Sequence, residues 1–243
     1  MKRILNFTLR NVKELIRDPL SSIFAIILPL FLLWIFQQFN IPGEAYKIEN
    51  FTPGIIIFGF SFITMFTAVL VSKDKSSLLL LRLSASPMKS YEYILGYFLS
   101  SLPIVFIQQV LFLILSSLLG LTISVNLIYT LLLGIIISLL YIAFGILLGS
   151  LVSDKATPGI SSIIVQLVAF TSGMYFSSDL IGGFFEVICN ILPFKSSVDL
   201  LKGVLNGNNE NALVSIVVFT VYLIITSILA VIFFKKSLKS DKK

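Results

Sequence analysis

The chain has 243 residues, 57% hydrophobic and 12% charged, with a mean hydropathy of +1.01 and a net charge of +6. A soluble domain carries roughly 25% charged residues, so the composition excludes an ordinary soluble fold and leaves a polytopic membrane bundle. The sequence has no histidine, which removes His-based metal sites, Ser–His and Cys–His nucleophile pairs and His proton relays.

Residues 2–17 predict an amphipathic helix. At about 100° per residue, Leu5, Leu9, Val12 and Ile16 share one stripe, with Arg3, Arg10, Lys13 and Arg17 opposite. That is the pattern of a helix lying in the membrane interface. The charges run through the segment and no small-residue cleavage site follows, which sets aside a secretory signal. Asp18-Pro19 reads as a cap and first-turn proline for the next helix.

Six apolar spans follow, at Ser21–Phe39, Pro53–Ser72, Leu95–Leu121, Leu127–Leu151, Pro158–Phe176 and Leu213–Phe234. Each reaches or nears the ~20 residues needed to cross the hydrocarbon core. Pro29 and Pro103 lie inside spans, where a kink is tolerated. Fifteen cations fall on one side of this arrangement: five before the first span, four between 73 and 94, one in 152–157 and five in the tail. Only Lys47, Lys195 and Lys202 fall on the other. The positive-inside rule then makes both termini and the 73–94 loop cytosolic. Cations placed as anchors, with no nucleic-acid-binding motif, argue against a nucleic-acid partner.

Between the fifth and sixth spans, Leu180–Leu192 is apolar but too short to cross, Pro193 follows, and Val198–Leu205 is closed by Asn206-Gly207-Asn208. Two short pieces split by a proline predict an outward re-entrant or interfacial hairpin over 177–211. Cys189, the lone cysteine, has neither a disulfide partner nor metal-ligand spacing, and packing is its expected use. Thr52-Pro53-Gly54-Ile55 recurs as Thr157-Pro158-Gly159-Ile160. Helix-opening turn chemistry explains each copy, and the pair hints at inverted three-helix halves.

No Asp, Glu, Lys or Arg lies within the core of any span. Intramembrane charges are the usual coupling devices of ion-driven carriers, so their absence argues against a secondary transporter. It also deprives an intramembrane enzyme of its acid and base. The chain holds no G-x-x-x-x-G-K-[ST] loop either, so energy has to come from another polypeptide. Gly145 and Gly149 form a G-x-x-x-G that permits tight helix contact, expected within the bundle. Phe58, Phe62 and Phe66, with Met65 beside them, make an aromatic stripe in the second span. Such a stripe is either a packing surface or the lining of a path for an apolar substrate. Gln166, Thr171 and Met174 are the matching candidates on the fifth span.

The long polar interruption is Lys73–Glu92, whose cations Lys73, Lys75, Arg82 and Lys89 surround an apolar centre, Leu78–Leu83. A basic loop with an apolar middle, closed by Ser86-Pro87, suits a grip for a cytosolic partner. In these features the chain resembles the ABC-2 type permease family, the membrane subunits of a class of ATP-binding-cassette exporters. The resemblance covers the basic helix ending at Arg17-Asp18-Pro19, six spans, the loop after the second and the hairpin before the sixth. Locally it rests on Lys73-Asp74-Lys75, the leucines through Leu83, Ser86-Pro87 and Ile94-Leu95-Gly96. Ser76-Ser77 stands where that family commonly has Gly-Thr, and Tyr97 where Lys is common.

The resemblance implies an all-α membrane protein forming one transmembrane domain over 1–243, with six transmembrane helices. It implies a cytosolic coupling helix within 73–92 that carries Lys73, Asp74, Lys75, Ser76, Ser77, Leu80, Arg82, Leu83, Ser86 and Pro87. The implied function is export of an amphipathic or hydrophobic substrate, such as a drug, an antibiotic peptide or a lipid-like compound, from a bacterial cell membrane. The implied partners are a cytosolic ATP-binding-cassette ATPase, a second permease copy or homologue, and membrane lipid. ATP and Mg would be bound by the partner, leaving no cofactor or metal in this chain. From the residues alone, a six-helix importer subunit or a channel acting without this coupling stays open.

Overall fold

Long runs of Leu, Ile, Val and Phe without charges can satisfy their backbone in lipid only by closing it into helices. The computed structural model describes residues 2–17, 19–39, 41–77, 89–175, 182–207 and 212–240, and over these the chain is all-α. The helices are α1 (Lys2–Arg17), α2 (Pro19–Gln38), α3 (Ile48–Ser76), α4 (Ser90–Leu118), α5 (Asn126–Leu151), α6 (Thr157–Thr171), α7 (Gly183–Ile191), α8 (Pro193–Asn206) and α9 (Ala212–Ser240). A 3-10 turn, Glu44–Tyr46, precedes α3. Four of these, α3, α4, α5 and α9, are long and apolar enough to cross a membrane, whereas Phe24–Gln38 of α2 and all of α6 are shorter apolar helices.

Helix ends depart from the expected ones for local reasons. α3 begins at Ile48, so Thr52-Pro53 sits inside it. Thr52 does not cap the helix; its hydroxyl donates to Ile48 O at 2.7 Å and meets Ser116 Oγ on α4 at 2.8 Å. Thr157-Pro158 does open α6, so the two tetrapeptides occupy different helical positions. α6 stops at Thr171 rather than Phe176, because Gly173 takes a φ of 78° that turns the chain out of the helix. α2 starts on Pro19, whose missing N–H is harmless in a first turn; Asp18 lies outside the described residues. Leu192 is extended, and α8 begins on Pro193 rather than Val198, ending at Gly207 in the left-handed region.

α3 is the axis of the bundle, with 89% of its apolar window buried, against 17% for α9 at the edge. It packs against α2, α4, α5, α6 and α8. Its closest neighbour is α5, and the reason is Gly145 and Gly149. A methyl at Gly145 would stand 2.6 Å from Thr64 O, and one at Gly149 2.5 Å from Ala68 O. The G-x-x-x-G is therefore spent inside the chain, letting the two backbones touch. Thr64 Oγ1 donates across this seam to Tyr141 O at 2.8 Å. On the other side, Gln108 of α4 donates to Ala25 O of α2 at 2.7 Å.

Gly145→Ala and Gly149→Ala are expected to destabilise the protein by about 1–3 kcal/mol each, through overpacking at the seam. Gly159→Ala, with nothing within 4 Å of its added methyl, is the control and should leave the melting midpoint in lipid nanodiscs unchanged. Equal melting of all three variants would show that α3 and α5 do not approach this closely.

Candidate functional site

The basic end of α3 ties four helices together. The sequence assigned Lys73–Ser76 to a loop, but these residues form the last turn of α3, and α4 starts at Ser90. Continuing the helix past the apolar run works because each polar side chain of that turn finds a different partner. Lys73 Nζ reaches Glu14 Oε1 of α1 at 2.6 Å. Asp74 Oδ2 accepts from Arg10 Nη1 of α1 at 2.6 Å and from the Tyr97 hydroxyl of α4 at 2.9 Å. Lys75 Nζ donates to Ser150 O and Val152 O, the open carbonyls at the C-terminus of α5, at 3.2 and 3.1 Å. A cation there also answers the negative end of the helix dipole. Ser76 Oγ donates to Asp154 Oδ2 at 3.2 Å, and Ser77 Oγ to Asp74 O at 3.3 Å.

Asp74 is the one of these that is fully buried; its side chain is 1% exposed, against 37% for Arg10. An ionised carboxylate at that depth is tolerable only when paired and hydrogen-bonded; Arg10 and Tyr97 both supply this at Oδ2, while the buried Oδ1 has no hydrogen-bond partner among the described residues. Burial works against the Arg10 charge, but the Asp74 hydrogen bond and carboxylate outweigh it and hold the guanidinium pKa above its ordinary value. The Lys73 hydrogen bond, aided by its charge, pulls the Glu14 carboxyl below its ordinary range.

α1 is fastened a second way, by aromatic packing. Phe7 sits so tightly over Gly96 of α4 that any side chain there would collide with its ring. It meets Tyr93 and Tyr97 edge-on at 5.4 and 5.2 Å, and Phe234 of α9 packs on the same two tyrosines. Phe7, Thr8, Asn11 and Leu15 are buried against the bundle, while Leu5, Leu9 and Ile16 are exposed. The helix thus has three faces, not two. Arg10, read from the sequence as one of four equivalent cations, turns inward, whereas Arg3, Lys13 and Arg17 stay on the surface.

Of the ten residues assigned to coupling, Lys73, Asp74, Lys75, Ser76 and Ser77 meet at this junction; Leu80, Arg82, Leu83, Ser86 and Pro87 lie outside the described residues. Arg10, Asn11, Glu14 and Tyr97 complete the junction. The sequence offered one signal for Tyr97, its place directly after Gly96. It offered none for Asn11, whose Oδ1 accepts from Arg10 Nη1 at 2.9 Å.

The path candidates are placed differently. Phe58, Phe62 and Phe66 are buried within the chain and Met65 is half-buried. Phe58 and Phe62 pack edge-to-face at 5.2 Å. Met174 is buried against Gly54, which joins α3 to the turn after α6. Thr171 is buried and donates to Leu167 O at 2.7 Å, while Gln166 faces outward from α6. None of the seven lines the cavity of about 490 Å³ at the other end of the bundle, where Phe36, Gln37, Tyr46 and Lys47 form walls. That end is closed by stacked Phe36, Tyr46 and Phe51 rings and by a Tyr46 hydroxyl donating to Tyr175 O at 2.6 Å.

The family model described as ABC-2 family transporter protein matches residues 35–234, and the chain belongs to that family. No curated protein matches the sequence. The chain is therefore a multi-pass membrane protein, the transmembrane subunit of an ATP-binding-cassette transporter and not its ATPase. Its class of partner is an ATP-binding cassette subunit. The matched stretch starts within α2, so α1 lies before it.

Arg10→Leu alone strands the buried carboxylate and should cost about 3 kcal/mol, the lower end of the range for a buried pair because Arg10 is partly open to water. Combining it with Asp74→Leu should recover much of that loss, giving a large non-additive coupling in a double-mutant cycle. Tyr97→Phe should cost about 1.5–3 kcal/mol, the value of a hydrogen bond to a charge. Reversible unfolding in mixed micelles measures all five proteins: wild type, the two single variants and the double variant of the cycle, and Tyr97→Phe.

The Glu14 contact carries a pH signature. Because its folded pKa is depressed, its contribution is complete above the unfolded value of about 4.3 and disappears as pH falls through the lower folded value. The stability gap between wild type and Glu14→Gln should be present at neutral pH and close in that acid window, as followed by melting against pH.

Proposed function

We propose that this chain is the permease half of an exporter that moves an amphipathic or hydrophobic substrate outward, whether drug, antibiotic peptide or lipid-like compound, by alternating access. A separate ATPase subunit binds ATP and Mg and performs the hydrolysis. The observation that carries this reading is the junction at the basic end of α3. Residues 78–88 follow directly from a helix turn that grips α1, α4 and α5 at once, so a push on that stretch is delivered to the whole bundle. In the family this stretch contains the coupling helix that sits in a groove of the ATPase, and we assign that role to Lys73–Pro87.

In this arrangement α2 and α6 make the remaining two of six crossings, and both termini face the cytosol of a bacterial cell. The cation count supports that orientation. α7 and α8 form the outward re-entrant hairpin. Its support is the extended break at Leu192, with Phe184, Val187 and Ile191 exposed on α7 while Phe194, Val198 and Leu201 are buried on α8. Two permeases, identical or homologous, face each other, with α3 and α6 bordering the path. Phe58, Phe62, Met65, Phe66, Gln166, Thr171 and Met174 supply its apolar and mildly polar surface. ATP-driven closure of two cassette subunits moves α1 and the coupling segment together and shifts the pair between inward- and outward-facing states by differential binding.

The test is reconstitution with a cognate cassette ATPase. Reversing charge at Arg82 to Glu, which leaves the Lys73–Glu14 contact in place, should abolish complex formation and lower ATP-dependent export at least about tenfold, the equivalent of 1.4 kcal/mol of lost interaction. Unchanged capture and export in that variant, or uphill movement by the chain without any ATPase, would overturn the assignment.

A further inference from the structure

The junction fixes how α1 is rotated, and this has a chemical result at its free side. The contacts of Phe7 with Gly96, Arg10 with Asp74 and Glu14 with Lys73 lock one face to the bundle. Successive residues are about 100° apart, so the exposed apolar stripe of Leu5, Leu9 and Ile16, at 57%, 50% and 66% exposure, then looks away from the protein. Of the cations that the sequence sets opposite the stripe, Lys13 comes out beside it, about 40° round the helix from Leu9, and Arg17 about 80° from Leu9; both are exposed. Lys13 lies four residues after Leu9 and three before Ile16, and Arg17 is one turn further, so the two cations stand about 5–6 Å apart at their Cβ atoms.

Two cations held at that spacing against an uncovered aliphatic stripe match a molecule with an anionic head and a hydrocarbon body. A zwitterionic lipid brings its own cation to the same level and gains little. A free phosphate leaves the stripe bare. An acidic protein surface would satisfy the charges while facing Leu9 and Ile16 with polar groups. We propose that Lys13 and Arg17, with Leu9 and Ile16, form a binding site for an anionic glycerophospholipid. Its phosphodiester sits between the two cations and its acyl chain lies along the stripe. The site rests on reading α1 as a helix lying in the membrane interface. Each basic residue at a membrane surface contributes about 1 kcal/mol toward anionic lipid, or roughly fivefold in relative retention, and salt weakens that contribution. Because α1 cannot roll, occupancy of this site bears on the same helix that holds Asp74.

The experiment uses the full chain in nanodiscs made of phosphatidylcholine with a minority of phosphatidylglycerol, released for native mass spectrometry. Phosphatidylglycerol should be retained above its share of the nanodisc. Lys13→Gln and Arg17→Gln should each cut the retained phosphatidylglycerol-to-phosphatidylcholine ratio by about fivefold. Lys155→Gln, on the loop before α6, should leave it unchanged, and high salt during release should lower the wild-type ratio. Excess free glycerol phosphate should not displace the lipid. Retention at the nanodisc ratio, or a ratio unmoved by the two α1 substitutions, overturns the site. So does retention that free glycerol phosphate abolishes. Melting of each variant checks that the fold is intact. A chain that retains phosphatidylglycerol through Lys13 and Arg17 yet captures no cassette ATPase would sink the exporter reading alone; the reverse outcome would sink only the lipid site.

Discussion

One carboxylate organises the basic end of this protein. Asp74 is buried at the end of the most enclosed helix, and an ion there must be neutralised locally or not exist. Arg10 comes from a helix 64 residues away in sequence and Tyr97 from the next long helix. The requirement is mutual: the carboxylate fixes α1 against α3 and α4, and α1 supplies the charge that makes the carboxylate bearable. Lys73 and Lys75, its neighbours, extend the same logic to Glu14 and to the end of α5. The turn that the sequence suggests as a grip for a cytosolic partner is also a structural knot, with Asp74 buried and its neighbours paired at the surface.

That arrangement bears on how force enters the bundle. A flexible tether between the 78–88 stretch and α3 would dissipate a push into rotation of the linker. A helix that runs unbroken from Ile48 to Ser76 and is bonded at its end to α1, α4 and α5 has no such slack. Family membership supplies an ATP-binding-cassette partner, and under the coupling proposed above the junction is where its movement would enter the fold.

Much of this was legible in the residues and some was not. The helical class, the four longest spans, the N-terminal amphipathic helix, the break at Pro193 and the inward use of Gly145 and Gly149 all follow from composition, periodicity and residue size. Helix ends were misplaced where a local rule met a tertiary one. Thr52-Pro53 has the chemistry of a helix start, but Ile48–Phe51 can coil ahead of it, with Phe51 packed beneath Phe36. The third face of α1 was hidden because it mixes Phe7 and Leu15 with Thr8 and Asn11, so hydrophobic periodicity registers only the exposed stripe of Leu5, Leu9 and Ile16. Nor does hydropathy distinguish a carboxylate dissolved in water from one clasped by Arg10, since the partner is absent from any local window. The path residues were chosen by residue type, and type alone does not say whether a phenylalanine points at a neighbour or a passage.

The seam between α3 and α5 has one more implication. With backbones in contact at Gly145 and Gly149, a hydroxyl bridging Thr64 to Tyr141, and Lys75 stitched to the last carbonyls of α5, these two helices have little freedom to slide or splay. They behave as a single strut. Any change of shape in the bundle has to be taken up outside this pair of helices, among the elements packed around it.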